Sequence, residues 1–225
     1  LRDGVETAIK SLGAGFLTTK GNGTLRERLR SGELATQDYY RQLLRLVYRL
    51  LMLLVAEEKK TETGENLLHK PGTSPEVRDR YTRFYSVSRI RTLAYARRGT
   101  AHTDLYESLK VLFHKLRSGY EPLGIPGMGS FLFSDDSTPD LDDAALANQD
   151  LLDAFRNLCY TEDVSGRGGG IRRPVDFGNL GSEELGSVYE SLLELHPLID
   201  TDEGPFTLGT AAGHERKTTG SYYTP

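Results

Sequence analysis

The chain has little of what would mark a secreted, membrane-spanning or zinc-binding protein. Its one cysteine, Cys159, cannot form a disulfide within the chain, which is typical of a reducing compartment, so we expect a cytoplasmic protein. The longest apolar run, 43–56, is shorter than the ~20 residues of a membrane span and contains Arg45 and Arg49. Five histidines are scattered without zinc-ligand spacing. We therefore predict no membrane partner and no metal.

The chain also lacks the basic, apolar and small-residue regions of a signal peptide. Because it begins at Leu1 and stops abruptly at Pro225, we expect it to be part of a longer protein. Its 225 residues, 37% hydrophobic and 27% charged, suit an ordinary globular protein with a real core. The net charge of -4 argues against a general coat for nucleic acid, but it permits a local basic face.

Helical spacing of apolar residues dominates the chain. The strongest pattern begins at Thr36 or Asp38 and ends near Glu57, and it is apolar on more than one side, which predicts a central helix. We predict further helices over 24–29, 77–98 with a break near Ser86, 104–116, up to Leu158, and from Ser182. Short strands are predicted over 171–177 and 206–208, with a strand or buried anchor at 131–133.

These elements predict a mainly α fold, a helical bundle-like domain with a few short strands in the last third. Four glycines, at 13, 15, 21 and 23, are predicted to break any long element before Thr24. The predicted organisation is an irregular or short-helix segment over 1–35, a helical domain over 36–160, and a connector with helix over 161–225.

The most informative segment is the last one, 216–225, with the sequence Arg-Lys-Thr-Thr-Gly-Ser-Tyr-Tyr-Thr-Pro. It is a compact polar turn that carries aromatic faces, hydroxyls and backbone N–H donors. It resembles the cofactor-side motif Thr-Gly-x-Tyr-Tyr-Thr-Pro of one group of DNA adenine-N6 methyltransferases. In that group the motif lies against the methionine end of S-adenosylmethionine.

A second motif lies upstream in the order that this group uses. The sequence Glu-Leu-Gly-Ser-Val-Tyr-Glu-Ser-Leu-Leu, 184–193, resembles the helix that precedes the cofactor motif, and the predicted strand 206–208 lies between the two. More weakly, 39–51 and 126–133 are similar to the N-terminal helical region of large methyltransferases. These include type IIG restriction-modification enzymes and the methyltransferases of the BREX and DISARM phage-defence systems.

The resemblance implies a site-specific DNA adenine-N6 methyltransferase that uses S-adenosylmethionine. It implies cofactor contacts at the end of the chain, from Gly220, Ser221, Tyr222, Tyr223, Thr224 and Pro225. It also implies that 161–225 includes the start of the methyltransferase domain. The Rossmann-like catalytic part is not in this chain, because the glycine loop and the Asn-Pro-Pro-Tyr or Asn-Pro-Pro-Phe element are absent. We expect no catalytic residue here, and a fragment that is inactive alone. The resemblance implies DNA as the partner, and it is also compatible with binding to other subunits of a defence or restriction system.

Arginines interleaved with aromatics over 78–98 form a candidate DNA-binding face. The candidate residues are Arg78, Arg83, Arg89, Arg91, Arg97 and Arg98, with Arg216 and Lys217 beside the terminal motif. The alternative is an amphipathic bundle helix whose arginines are solvated or paired with the acidic loop 135–143. For Arg216 and Lys217 the alternative is solvated flanking charge.

Two rival functions stay open. In a nuclease–methyltransferase fusion the helical region would serve cleavage as well, and an acidic strand followed by Glu-x-Lys in a missing N-terminal part would favour it. The Glu-x-Lys fragment in 56–60 follows no acidic strand and is interpreted as a solvated helix end. A non-enzymatic helical interaction module would make the terminal motif an incidental turn. The glycine run 166–170 lacks the Lys-Ser/Thr of a phosphate-binding loop and is interpreted as a connection.

Overall fold

The computed structural model describes residues 1–62, 64–163, 171–199 and 206–210. Within them the chain is mainly helical, with two separate two-stranded antiparallel pairs. The helices are α1 (Arg2–Thr18), α2 (Gly23–Ser31), α3 (Thr36–Glu58), α4 (Pro75–Phe84), α5 (Val87–Ala96), α6 (Asp104–Ser118), α7 (Pro139–Asp142), α8 (Asn148–Cys159) and α9 (Ser182–Leu193). The strands are β1 (Tyr160–Asp163), β2 (Ile171–Pro174), β3 (Leu195–Ile199) and β4 (Phe206–Thr210). The prediction of a mainly α fold with short strands in the last third is confirmed.

Helix α3 is central, as its apolar pattern predicts. Its buried side chains lie on several sides of the helix, and it packs against α1, α5, α7 and β3. One continuous cluster of buried apolar side chains extends from Val5 in α1 to Phe206 in β4. The described part of the chain is therefore built around a single core, with α3 through its middle.

The prediction that glycines break the first 23 residues is wrong, because residues 2–18 form a 17-residue helix. The glycines allow α1 to lie close to α8. A Cβ added to Gly15 would come within 2.6 Å of Asp150 Cβ, and Ser11 Oγ donates to Asp153 Oδ2 at 2.7 Å. A Cβ on Gly4 would also overlap the Asn157 carbonyl oxygen. Glycine has low helix propensity, and the close packing of α1 against α8 that these glycines allow compensates for this cost.

The acidic loop 135–143 is held by arginines from three helices. Asp140 pairs with Arg28 of α2, and Asp135 pairs with Arg117 of α6. The Arg49 guanidinium of α3 lies 3.6 Å from Asp142 Oδ1. The loop thus takes its cations from α2, α3 and α6, and the alternative that it pairs with the arginines of 78–98 is wrong.

The remaining predicted boundaries mostly hold. Helix α2 ends at Gly32 in a left-handed conformation, and α4 is separated from α5 at Tyr85–Ser86, where Ser86 Oγ accepts from Arg89 N. Residues 131–133 form a 3-10 turn that buries Phe133, so the buried anchor is confirmed and the strand is wrong. Within the described residues no helix has the length and apolar character required to cross a bilayer.

Candidate functional site

The predicted cofactor residues Gly220 to Pro225, together with Arg216 and Lys217, lie outside the described residues, as does the glycine run 166–170. The structure does describe the segment that precedes the terminal motif. This segment consists of α9 and the hairpin of β3 and β4, in which Leu195 pairs with Thr210 and Ile199 with Phe206. How it is fixed to the helical core determines where residues after 210 begin.

Helix α9 is attached to α3 at both its middle and its end. The Tyr189 ring lies edge-on to Tyr48, with centroids 4.8 Å apart, and Tyr40 Oη donates to the Leu192 carbonyl oxygen at 2.7 Å. At its start, Glu184 Oε2 accepts from Gly181 N at 2.8 Å, which caps the first turn. Burial raises the pKa of the Tyr40 phenol, so that this hydroxyl remains a donor.

The hairpin is fixed by one aromatic side chain. Phe206 of β4 is buried, lies edge-on to Tyr39 at 5.8 Å between centroids, and fills the space above Gly13 of α1. Tyr39 Oη in turn donates to the Gly13 carbonyl oxygen at 2.8 Å. The three residues make one contact among α1, α3 and β4, and this contact positions the strand that leads toward the terminal motif.

The candidate arginines of 78–98 do not form one free basic face. Arg78 pairs with Glu65 and Arg83 with Asp79, while Arg91 pairs with Glu58 and donates to the Val175 carbonyl oxygen. Arg89 is half-buried, and its Nε has no partner within the part of the chain that the structure describes. Arg97 and Arg98 are exposed, and within that same part neither has a carboxylate partner. Of the six candidate arginines, Arg97 and Arg98 are thus the two that are exposed and have no carboxylate partner among the described residues.

The end of α3 is a buried carboxylate site that joins three elements. Glu57 accepts from Tyr81 Oη at 2.6 Å, from Val87 N and Ser88 N at 2.9 Å each, and from Ser88 Oγ at 2.5 Å. It therefore caps the N-terminus of α5 from a distant element. Burial raises the pKa of the Glu57 carboxyl, and these hydrogen bonds oppose the rise.

The expectation of a solvated helix end at 56–60 is wrong for both of its acids. Glu57 is buried, and Glu58 is engaged by Arg91 and by Phe177 N at 3.1 Å. Both carboxylates are occupied by protein donors, so neither is free to bind a nuclease metal ion. Within the described ranges, no group of three or more His, Cys, Asp or Glu side chains has the arrangement of a metal site.

An open cleft of about 500 Å³ lies beside the exposed end of α5. Its lining includes Arg91, Thr92, Tyr95, Tyr160 and Pro174. The Tyr95 and Tyr160 rings lie 5.3 Å apart at 36°, and the Arg91 guanidinium lies 5.7 Å from the Tyr160 centroid. Sequence reasoning noted Tyr95 among the aromatics of 78–98 but missed Tyr160, because only the fold brings α8 and α5 together.

A second cavity, of about 230 Å³, borders the buried Arg49. Arg49 Nε donates to the Leu132 carbonyl oxygen at 2.7 Å, and a terminal nitrogen donates to that of Ser134 at 3.1 Å. Its guanidinium also lies 5.0 Å from the Phe113 centroid. Through these contacts Arg49 acts as an internal clamp that holds segment 131–142 against α3. Its guanidinium is engaged within the protein rather than presented to a ligand.

No family model, no curated protein and no solved structure matches this chain.

Proposed function

We propose that this chain is the N-terminal helical module, with the start of the catalytic domain, of a site-specific DNA adenine-N6 methyltransferase. The enzyme would transfer a methyl group from S-adenosylmethionine to an adenine amine, in bacterial restriction-modification or phage defence. The observation that carries the proposal is the ordered pair of motifs, 184–193 and 216–225, with a strand between them. Two linked motifs in the expected order arise by chance far less readily than one.

The packing of the intervening segment supports a bracing role for the helical module. The first motif is α9, attached to α3 through Tyr40 and Tyr48, and the strand is β4, held by Phe206 against α1. Only five residues, 211–215, separate β4 from Arg216. A rigid core that holds α9 and β4 therefore limits the positions open to the terminal motif, which is what a wall of a cofactor pocket requires.

The chemistry of the motif suits the methionine end of the cofactor. Hydroxyls of Ser221 and Thr224 and the N–H groups near Gly220 are donors for a carboxylate, while Tyr222 and Tyr223 offer aromatic faces to a sulfonium. The bound cofactor supplies the methyl group. The residues of this chain bind and orient it, and the adenine pocket belongs to the proposed catalytic domain beyond Pro225.

The test uses the longer polypeptide that the proposal implies, extended past Pro225. It is incubated with unmethylated DNA and methyl-labelled S-adenosylmethionine, and label is scored on adenine. We expect label with the wild type and with the control variant Tyr120→Ala, which changes an equally aromatic surface residue far from the motif in sequence. We expect Tyr223→Ala to fold but to lose cofactor binding and label.

The opposite result would favour the non-enzymatic helical module. That result is the absence of label on several unmethylated DNAs together with the absence of cofactor binding. A nuclease–methyltransferase fusion would show DNA cleavage in the same incubation, and any cleavage centre would have to lie outside Glu57 and Glu58, whose oxygens are engaged within the fold.

A further inference from the structure

The segment that links α5 to α6 is a basic loop with no acidic residue. We define the basic loop as residues 97–103, with Arg97, Arg98 and His102 as its cationic or ionisable side chains. All three side chains are exposed. Among the described residues, neither arginine has an ion-pair partner, unlike Arg78, Arg83 and Arg91 of the preceding helices. The basic loop therefore presents two consecutive arginines that have no carboxylate partner among the described residues.

The backbone of the basic loop is fixed by α8. Asn148 N donates to the His102 carbonyl oxygen at 2.6 Å, and Gln149 N donates to that of Thr100 at 3.0 Å. Arg156, whose side chain is 8% exposed, donates to the carbonyl oxygens of Arg97 at 3.0 Å and Ala94 at 3.3 Å. Each of these anchors is made to a backbone carbonyl, so the loop's cationic side chains stay free while its path is held.

Gly99 explains how the loop approaches α8 so closely. Its φ is +89°, and a Cβ at this position would come within 2.6 Å of the Gln149 backbone. A left-handed conformation and a close backbone approach both require glycine here. A loop ordered before its ligand arrives loses little conformational entropy on binding.

An exposed aromatic ring, Tyr95, lies at the end of α5, two residues before Arg97 in the sequence. Tyr95 is 66% exposed, and its hydroxyl has no hydrogen-bond partner among the described residues. The ring is supported on one side by Tyr160 and borders the 500 Å³ cleft. Proteins hold single-stranded nucleic acid by combining solvent-facing aromatic rings, on which bases stack, with basic side chains that bind the phosphates.

We propose that Arg97, Arg98 and Tyr95 form a DNA-contact site, in which the arginines bind successive phosphates and Tyr95 stacks on an unstacked base in the cleft. The site rests on the proposed function in taking DNA as its ligand. Of the candidate DNA-binding arginines that the sequence predicts over 78–98, this site retains only Arg97 and Arg98, and it adds Tyr95. Since its arginines lie on a fixed loop and its tyrosine on α5, the helical module would orient the DNA relative to the proposed catalytic domain as well as brace that domain.

Binding of the intact polypeptide to a short labelled DNA duplex, measured across a salt series, tests the arginines. We expect Arg97→Ala/Arg98→Ala to weaken binding and to flatten the slope of log K against log salt by about 1.8, which is about 0.9 for each phosphate that an arginine no longer neutralises. The matched control is Arg30→Ala/Arg41→Ala, which removes the same charge from exposed side chains (56% and 57%) on α2 and α3. If both double variants weaken binding and flatten the salt slope equally, the effect comes from overall charge, and the proposed site is wrong.

A second variant tests the tyrosine. Tyr95→Ala should weaken binding to a duplex with an unpaired base by about five-fold or more and leave the salt slope unchanged, because stacking releases no counterions. Tyr120→Ala is the control. Unchanged affinity in Tyr95→Ala would remove the stacking element.

The failures of the site and of the proposed function are distinguishable. If methyl transfer occurs but Arg97→Ala/Arg98→Ala changes neither the salt slope nor the KM for DNA, the site is wrong and the methyltransferase stands. If the variant changes the salt slope as expected while no DNA is methylated, the site stands and the methyltransferase is wrong.

Discussion

Glu57 has almost no contact with solvent, yet four donors from Tyr81, Val87 and Ser88 surround its carboxylate. Burial raises the pKa of this carboxyl above its ordinary value of 4.5. The folded protein then retains the proton at pH values where the unfolded chain has released it. The free energy of unfolding contributed by Glu57 is therefore greatest below pH 4.5 and falls as the pH rises through the folded-state pKa.

The substitution Glu57→Gln tests this sign. The glutamine keeps the shape and an acceptor oxygen but does not titrate, so its unfolding free energy should decline less between acidic and neutral pH than that of the wild type. Denaturant unfolding at a series of pH values measures the difference. A wild type that gains stability relative to Glu57→Gln as the pH rises would mean that the hydrogen bonds outweigh burial. Glu57→Ala should cost about 3 kcal/mol at acidic pH, since buried donors are left without acceptors, and less as the pH rises through the folded-state pKa of the wild type.

Arg49 is the second buried charge, with a side chain that is 2% exposed. Its planar guanidinium donates from two different nitrogens, Nε to the Leu132 carbonyl oxygen and a terminal nitrogen to that of Ser134, and the single nitrogen of lysine does not reproduce this fork. We expect Arg49→Ala to cost about 3–5 kcal/mol, in the range for breaking a buried ionic contact. Arg49→Lys should recover only part of this loss. Urea unfolding checks both, and full recovery by lysine would contradict the clamp.

At the scale of elements, the sequence predicts helices well where an apolar period is uninterrupted and poorly where glycines interrupt it. Helix α3 was predictable because leucines recur on its buried sides. Helix α1 has an apolar period too, through Val5, Ile9, Leu12 and Phe16, but its glycines indicate a break unless the neighbours that approach them closely are known. Strands β1 and β3 were missed because they are only four and five residues long and each pairs with one short strand, β2 and β4 respectively, so that they show little alternation.

Two glycines in helices give opposite predictions for the same substitution. Gly186 of α9 has open space where a Cβ would be, so Gly186→Ala should raise the free energy of unfolding by about 0.5–1 kcal/mol. Gly15 of α1 has Asp150 and Leu146 in that space, so Gly15→Ala should lower it by about 1–3 kcal/mol. Thermal unfolding of the two variants side by side measures both signs. Stabilisation by Gly15→Ala would contradict the close packing of α1 on α8.

At the scale of the whole molecule, the candidate site was only partly predictable. The motifs 184–193 and 216–225 can be read from the sequence because their order is local. The sequence does not show which arginines lack an acidic partner. Glu58, Glu65 and Asp79 each neutralise an arginine, through a tertiary contact or a contact within one helix. The support of Tyr95 by Tyr160 likewise depends on the packing of α8 against α5.

The contact of Gly13 with Phe206 links the helical core to the segment that precedes the terminal motif. A Cβ on residue 13 would lie 2.5 Å from Phe206 Cδ1, so Gly13→Ala should displace the ring and loosen the hairpin of β3 and β4 while α3 and α8 keep their packing. We expect faster amide exchange in the hairpin and, in the longer polypeptide of the proposed function, several-fold weaker binding of the proposed cofactor S-adenosylmethionine. The direct cost should be about 1–3 kcal/mol, as for other overpacked sites.

A compensating change separates this effect from general damage. Phe206→Leu shortens the side chain above residue 13, so Gly13→Ala/Phe206→Leu should restore part of the hairpin's protection and of the cofactor affinity, whereas Phe206→Leu alone leaves a small void. Hydrogen exchange and cofactor titration of the four proteins form a double-mutant cycle. If the hairpin loosens in Gly13→Ala while cofactor affinity stays at the wild-type value, the core does not position residues 216–225, and bracing of the cofactor wall by the helical module is wrong.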